Sequence, residues 1–270
     1  MLELANLFKT FNPGTPNEVR ALCGLDLTVD EGSWVVVIGT NGSGKSTLLN
    51  AVAGSVMVDA GRIRLDNQEM THWPEHRRAK LIGRVFQNPF SGTAASMSIA
   101  ENFALATRRG QARGLGWALP AQLRRDLRDC VRQLNLGLED RLDNVIGSLS
   151  GGQRQALTLL MATWLKPRLL LLDEHTAALD PKSADQVIQL TEEILSREKL
   201  TTVMVTHSMF QAANLGDRLI MAHRGQILYD CRGAEKRRLR AEDLLARFEE
   251  IRRSDRLDES AAEMLRRAYV

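Results

Sequence analysis

The chain has 270 residues, 44% of them apolar and 26% charged, a balance that excludes an intrinsically disordered protein and one that is mostly membrane-embedded. Lys plus Arg exceed Asp plus Glu by only 36 − 33 = 3, too few for a nucleic-acid sheath, so no nucleic-acid partner is expected. Cys23, Cys130 and Cys231 are scattered and odd in number, with no C-x-x-C pair, which argues against a disulfide framework or a zinc site and fits a reducing cytosol.

No apolar stretch approaches the length that crosses a bilayer, and Glu3, Asn6 and Lys9 spoil a signal-peptide reading of the N-terminus. Residues 2 to 38 read as short strands: Leu2-Glu3-Leu4 and Leu25 to Val29 alternate, with turns at Asn12-Pro13-Gly14 and Glu31-Gly32. Two aromatic residues here are candidates for stacking on a nucleobase. Phe11, at the end of the first strand, is preferred, and Phe8 is expected to be a buried strand residue.

Trp34 to Ile38 is a continuous β-branched and aromatic run, the mark of a strand buried on both faces. Gly39-Thr40-Asn41-Gly42-Ser43-Gly44-Lys45-Ser46-Thr47 follows and fits G-x-x-x-x-G-K-[ST]; Leu48 to Ala53 then continues as a helix until Gly54 stops it. The glycines leave backbone N–H groups open to a polyphosphate, and the helix N-terminus adds positive dipole. In this pattern Lys45 would reach the β- and γ-phosphates, Ser46 would ligate Mg²⁺ and Thr47 would bond an inner phosphate.

Ile63 to Asp66 resumes the alternation, so an antiparallel sheet is expected beside the nucleotide-binding strands. Residues 70 to 80 read as a loop and short helix leading into a strand, Leu81 to Phe86. Gln87 stands where that strand empties into a loop, a common ligand edge in α/β sheets, and its carboxamide is a candidate ligand for the metal or its water. From Ile99 to about Leu149 the pattern is helical. Ile99, Phe103 and Ala106 share one face, and Leu123, Leu127, Cys130, Val131 and Leu134 make a second stripe. The Gly-rich stretch from Arg108 to Pro120 is a connection in which Trp117 is expected to pin the loop.

Leu149-Ser150-Gly151-Gly152-Gln153 precedes a helix expected over 154–165, with Ser150 as its N-cap and the glycines as a bare backbone patch. Arg168 to Glu174 is a buried strand ending in two carboxylates: Asp173 suits a metal, through water, and Glu174 suits polarising an attacking water. A turn at Ala178-Leu179-Asp180-Pro181 leads to a helix over 182–196. Thr201 to Thr206 is a further β-branched strand, delivering His207 to the same edge as a γ-phosphate sensor. Arg218 to Met221 and Gln226 to Tyr229 form a hairpin around Arg224-Gly225. Beyond Gly233 two amphipathic helices are expected, with stripes Leu244, Leu245, Phe248, Ile251 and Ala261, Met264, Leu265, packing on their own domain or on a second copy.

The order of cradle, strand-end glutamine, helical insert, Leu-Ser-Gly-Gly-Gln, strand with Asp-Glu, Ala-Leu-Asp turn and strand-end histidine resembles the ATP-binding-cassette (ABC) ATPases over residues 1 to about 230. The resemblance implies an α/β fold with a P-loop NTPase core on a mixed or parallel sheet, an antiparallel β subdomain and a helical subdomain inserted at about 90–155. Residues 231–270 would form a charged helical tail. It also implies a homodimer of cassettes that sandwiches two ATP molecules with Mg²⁺: Ser150 and Gly152 of one copy face the γ-phosphate held by Lys45 of the other, Gly151 and Gln153 belong to the same nucleotide-binding patch, and Asp180 crosses between the sites. Catalysis would rest on Glu174 and His207. The wider nucleotide set is Phe11, Gly39, Asn41, Gly42, Ser43, Gly44, Lys45, Ser46, Thr47 and Gln87, and the metal set is Ser46, Gln87 and Asp173.

Partners implied are integral-membrane permease subunits docked in the groove between the helical subdomain and the Gln87 loop, through Ile99 to Ala106 and Phe90 to Met97, and a separate substrate-binding protein. The location implied is the cytoplasmic face of the cell membrane. The string Asp173 to Pro181 is similar to that of cassettes serving tryptophan- or tyrosine-like amino-acid importers. One departure stands out: His175 follows Glu174 where many relatives have proline, either as a modulator of the site or as a tolerated turn residue. The rival reading, a soluble ABC ATPase of translation or DNA repair, goes with tandem cassettes or a long coiled coil, and this chain shows neither.

Overall fold

A computed structural model describes residues 1–111, 119–251 and 253. Two sheets carry the nucleotide-binding half. The first strands, β1 (Leu2–Phe11) and β2 (Val19–Val29), pair antiparallel. The chain then enters β3 (Trp34–Gly39), whose residues Val35 to Ile38 are fully buried, as the apolar run predicts. The glycine loop and α1 (Lys45–Ala53) follow, and Gly54, at φ 85°, ends that helix. Next come β4 (Ala60–Leu65), the two-residue β5 (Gln68–Glu69), α2 (Glu75–Arg78) and β6 (Ile82–Val85).

The helical insert holds α3 (Ile99–Thr107) and α4 (Ala121–Arg132) and leads into α5 (Gly151–Thr163). The chain returns through β7 (Leu169–Asp173), α6 (Pro181–Glu198), β8 (Thr201–Val205), α7 (Met209–Asn214), the hairpin of β9 (Arg218–His223) and β10 (Gln226–Arg232), and α8 (Ala234–Arg238). A last helix, α9, spans 241–251.

The strand order β2-β1-β4-β5 makes an antiparallel sheet, and β10-β9-β3-β8-β7-β6 makes a mixed one, parallel except for its β10 edge. Both expectations for the sheets therefore hold. The parallel order brings the ends of β3, β6, β7 and β8 to one edge, where the loops carrying the glycines, Gln87, Glu174 and His207 emerge.

One core cluster lies between the two sheets and holds Leu48, Leu49 and Val52 of α1. A second lies on the opposite face of the mixed sheet and takes Leu244 of α9, with Phe248 and Ile251 packed against it. The first tail stripe thus packs on its own domain, except Leu245, which is exposed. A third cluster belongs to the insert and joins Ile99, Phe103, Leu127 and Val131 to Ala156, Leu157 and Leu160 of α5. That helix begins at Gly151, three residues earlier than expected, so both glycines sit inside its first turn. Trp117 and the second tail stripe lie outside the described residues.

Phe8 corrects the sequence reading. It is 40% exposed, while Leu7 is fully buried. Asn6 adopts φ 52°, and the β1–β2 register shifts between Leu4 and Leu7 and again between Leu7 and Phe8. These bulges break the alternation set by Leu2 and Leu4 and turn Phe8 outward. Phe11 is partly exposed, with Lys9 Nζ 5.5 Å from its ring centre.

Candidate nucleotide site

The loop between β3 and α1 is shaped by contacts that only glycine permits. Gly44 sits at φ 96°, and a Cβ there would meet the Ala21 carbonyl oxygen at 2.2 Å; on Gly39 it would meet the Ala222 carbonyl oxygen at 2.3 Å. Gly44 is also the N-cap of α1 and has no side chain to take up the first-turn N–H groups, which stay available to an anion. Asn41, Gly42 and Ser46 are exposed on this surface, whereas Ser43 is buried. Lys45 is only 5% exposed; its Nζ donates to the carbonyl oxygens of Gly39 at 2.9 Å and Thr40 at 3.0 Å. Burial pushes the Lys45 ammonium below its ordinary pKa, opposed by the charges of Glu174 and Asp173.

The two acids at the end of β7 have different surroundings. Asp173 Oδ2 pairs with Arg84 Nη2 at 3.2 Å, and the same Nη2 donates to Asn50 Oδ1 at 2.7 Å. Glu174 lies beyond the strand at φ 46°, an uncommon conformation for a residue other than glycine, held by its N–H on the Val205 carbonyl at 2.9 Å. Its Oε1 lies 2.6 Å from His207 Nε2. The structure therefore joins the two expected catalytic residues directly. Gln87 is exposed in the loop after β6.

Ser150 caps α5 as expected: its hydroxyl accepts from Gln153 N–H, and Gln153 Oε1 accepts from Ser150 N–H. Asp180 caps α6 by accepting from Ser183 N–H at 3.0 Å, and the Ser183 hydroxyl together with that N–H holds its carboxyl below the usual range. The two helix starts touch, since a Cβ on Gly152 would meet Ser183 Cβ at 2.7 Å. Ser150, Gly152 and Gln153 line one cavity; Gly39 to Gly42 and His207 line another, and the two share no residue. The glycine patch is thus separate from the phosphate loop of its own chain.

Three contributors escaped the sequence reading. Arg84 was a charge in an otherwise apolar strand, and that was its only signal. Arg154 donates to the carbonyls of Ile146, Gly147 and Leu149 and stacks 3.7 Å from the Phe90 ring centre. Gln155, fully buried, donates to the Phe86 carbonyl at 3.1 Å and so fastens α5 to the segment that carries Gln87.

His175 lies in the turn that follows Glu174, as the plainer of the two readings expects, with its side chain directed into the core. It is 1% exposed, with Nε2 3.2 Å from Thr191 Oγ1 and no partner for Nδ1, and desolvation pushes its pKa down to about 4. The unfolded chain binds the proton more readily, so His175 removes stability as pH falls from the ordinary value of 6.5 toward 4 and leaves it unaffected above that window. We expect the loss to reach roughly 3 kcal/mol, from about 1.4 kcal/mol per pKa unit. Urea midpoints of the wild type and His175→Gln between pH 7 and pH 4.5 check this: the variant should show the shallower decline.

With this geometry in place, the family comparison decides the assignment. Residues 22–177 match the family described as ABC transporter. The chain belongs to the ABC transporter family. A tyrosine transport ATP-binding protein of Clostridioides difficile is 42% identical over 92% of this chain and 99% of its own length. A lipoprotein-releasing system ATP-binding protein of Ruegeria pomeroyi is 34% identical over 84% of this cassette and 96% of its own length. Among solved structures, a dimeric ATP-binding cassette in a post-hydrolysis state, bound to ADP and Pi, superposes with a TM-score of 0.73 at 28% identity, covering 86% of this chain and 98% of that one. The cassette fold and the ATPase class of the chain are thereby shown.

Proposed function

We propose that the chain is the ATP-hydrolysing subunit of an ABC transporter that powers a separate membrane permease, an importer of small solutes with amino acids the leading class. One observation carries the mechanism: the phosphate loop with its Glu174–His207 pair and the Ser150–Gly152 patch occupy different surfaces of one chain. Two copies placed head to tail bring each patch onto the other's loop, so hydrolysis requires the closed dimer.

In this reading Phe11 stacks on the base. The N–H groups of Gly39 to Thr47 and the Lys45 ammonium bind the phosphates. Ser150, Gly151, Gly152 and Gln153 of the second copy cover the γ-phosphate, and Asp180 connects the two sites. Glu174 orients and deprotonates the attacking water while His207 contacts the γ-phosphate.

Among the described residues no cluster of three His, Cys, Asp or Glu side chains is placed to cage a metal. The Ser46 hydroxyl, Asp173 carboxylate and Gln87 carboxamide instead suit Mg²⁺ that takes its other ligands from phosphate and water. When bound, the ion would neutralise charge on the phosphates.

Among the described residues no helix is long and apolar enough to cross a membrane. In this reading the permease supplies the span and the cassette sits on its cytoplasmic face. The groove for it lies between the insert and the mixed sheet, lined by Phe86, Thr93, Leu105, Arg109 and Met161, with Phe90 and Leu105 each more than half exposed. Amino-acid import, with a separate binding protein, draws on the similarity to the tyrosine transport protein.

Affinity purification from detergent-solubilised membranes tests the proposal. A polytopic permease should co-purify, and an amino acid presented with its binding protein should raise the ATPase rate of that complex. Recovery with ribosomes or DNA, and no permease, would favour the soluble-ATPase reading instead.

A further inference from the structure

The phosphate loop is gripped from outside by a part of the chain that the sequence motif does not mention. Ala222, the carbonyl of which abuts Gly39, is followed by His223 at the end of β9, and His223 Nδ1 lies 3.2 Å from Thr40 Oγ1. The β9–β10 turn adds two backbone bonds: Gly225 N–H donates to the Ser43 carbonyl at 3.1 Å, and Cys23 N–H donates to the Gly225 carbonyl at 3.0 Å. The turn needs left-handed backbone at Arg224, φ 45°, and Gly225, φ 77°; a Cβ on Gly225 would meet the Ala21 carbonyl oxygen at 2.9 Å. The loop is therefore wedged between the β9–β10 hairpin and β2.

Thr40 occupies an unspecified position of the glycine motif, yet it does two things. Its side chain meets His223, and its carbonyl accepts from Lys45 Nζ at 3.0 Å. A rotation of the Thr40 peptide would move an acceptor that fixes the Lys45 ammonium and the first N–H groups of the cradle.

We propose that His223 is a positioning residue for nucleotide binding: through Thr40 it holds the first half of the phosphate loop and the Lys45 ammonium in the orientation that receives a polyphosphate. Fixing the loop before the ligand arrives removes an ordering cost from binding. The inference rests on the nucleotide-binding reading of this loop.

A double-mutant cycle in the full-length chain tests it, read as the Kd for ADP by titration calorimetry. His223→Ala and Thr40→Val should each weaken ADP binding roughly three- to tenfold, the range expected for one hydrogen bond. The double variant should be no weaker than the worse single one, because both changes remove the same bond. His223→Asn, which returns a polar atom near the Nδ1 position, should bind within about twofold of the wild type.

Additive losses in the cycle would overturn the proposal, and so would unchanged binding in Thr40→Val, which remains readable even where His223→Ala fails to fold. A wild-type chain that bound no nucleotide would instead overturn the nucleotide-binding reading itself.

Discussion

Glu174→Gln should bind ATP with an affinity close to that of the wild type while its steady-state turnover falls by about a hundredfold or more, the range for loss of a general base. The expectation follows from where the carboxylate is held. Glu174 is placed beyond β7 by its bond to the Val205 carbonyl, and Ala177 N–H donates to the Glu174 carbonyl at 2.9 Å, so the backbone geometry does not depend on the side-chain charge. Glutamine keeps an oxygen that can accept from His207 at the position of Oε1, 2.6 Å from Nε2 in the native protein. What it loses is the ability to take a proton. Phosphate release measured beside nucleotide affinity separates the two effects: turnover near the wild-type rate would show that the base lies elsewhere.

Arg78→Met should cost about 3–5 kcal/mol of stability, because it leaves buried carbonyl acceptors unsatisfied at about 1–3 kcal/mol each, partly offset by shedding a buried charge. Arg78 is fully buried and donates four hydrogen bonds: Nη1 to the carbonyls of Ala51 at 2.6 Å and Val52 at 2.9 Å, Nη2 to Thr71 at 2.9 Å and Nε to Trp73 at 2.8 Å. Ala51 and Val52 lie in the last turn of α1, whose end carbonyls have no partner within the helix. The guanidinium satisfies them and places a positive charge at the negative end of the helix dipole. Burial pushes its pKa down to about 10, so it stays charged near neutrality.

Methionine fills much of the volume but leaves four carbonyls unpartnered, and Lys cannot reproduce the fork. Thermal unfolding should show Tm lowered by roughly 10 °C, taking about 2–4 °C per kcal/mol for a chain of this size. A drop of only a degree or two would mean that water satisfies those carbonyls. Because α1 starts at Lys45, the same variant should also weaken ATP binding.

The parts of the molecule legible in the sequence are those governed by local rules. A continuous apolar run gave β3 and β7, three glycines with lysine gave the cradle, Gly54 ended α1, and Ser150 announced the N-cap of α5. The parts that were not legible depend on pairings between distant segments. Arg84 finds Asp173 across 89 positions, and Thr40 finds His223 across 183.

Phe8 was misplaced because two register shifts in β1 cancel the alternation on which its burial was inferred. His175 was read from its neighbour Glu174, yet it turns beneath α6 toward Thr191 while Glu174, at φ 46°, turns the other way toward His207. Two consecutive residues thus serve the core and the catalytic edge, a division that spacing does not reveal.

If the loop of one copy and the Ser150–Gly152 patch of another close over the same triphosphate, light scattering on Glu174→Gln should show a monomer without ATP and a dimer with it, and a return to monomer when Ser150→Arg is introduced into both copies. A chain that binds ATP and stays monomeric, or dimerises equally well with Ser150→Arg, would rule that closure out.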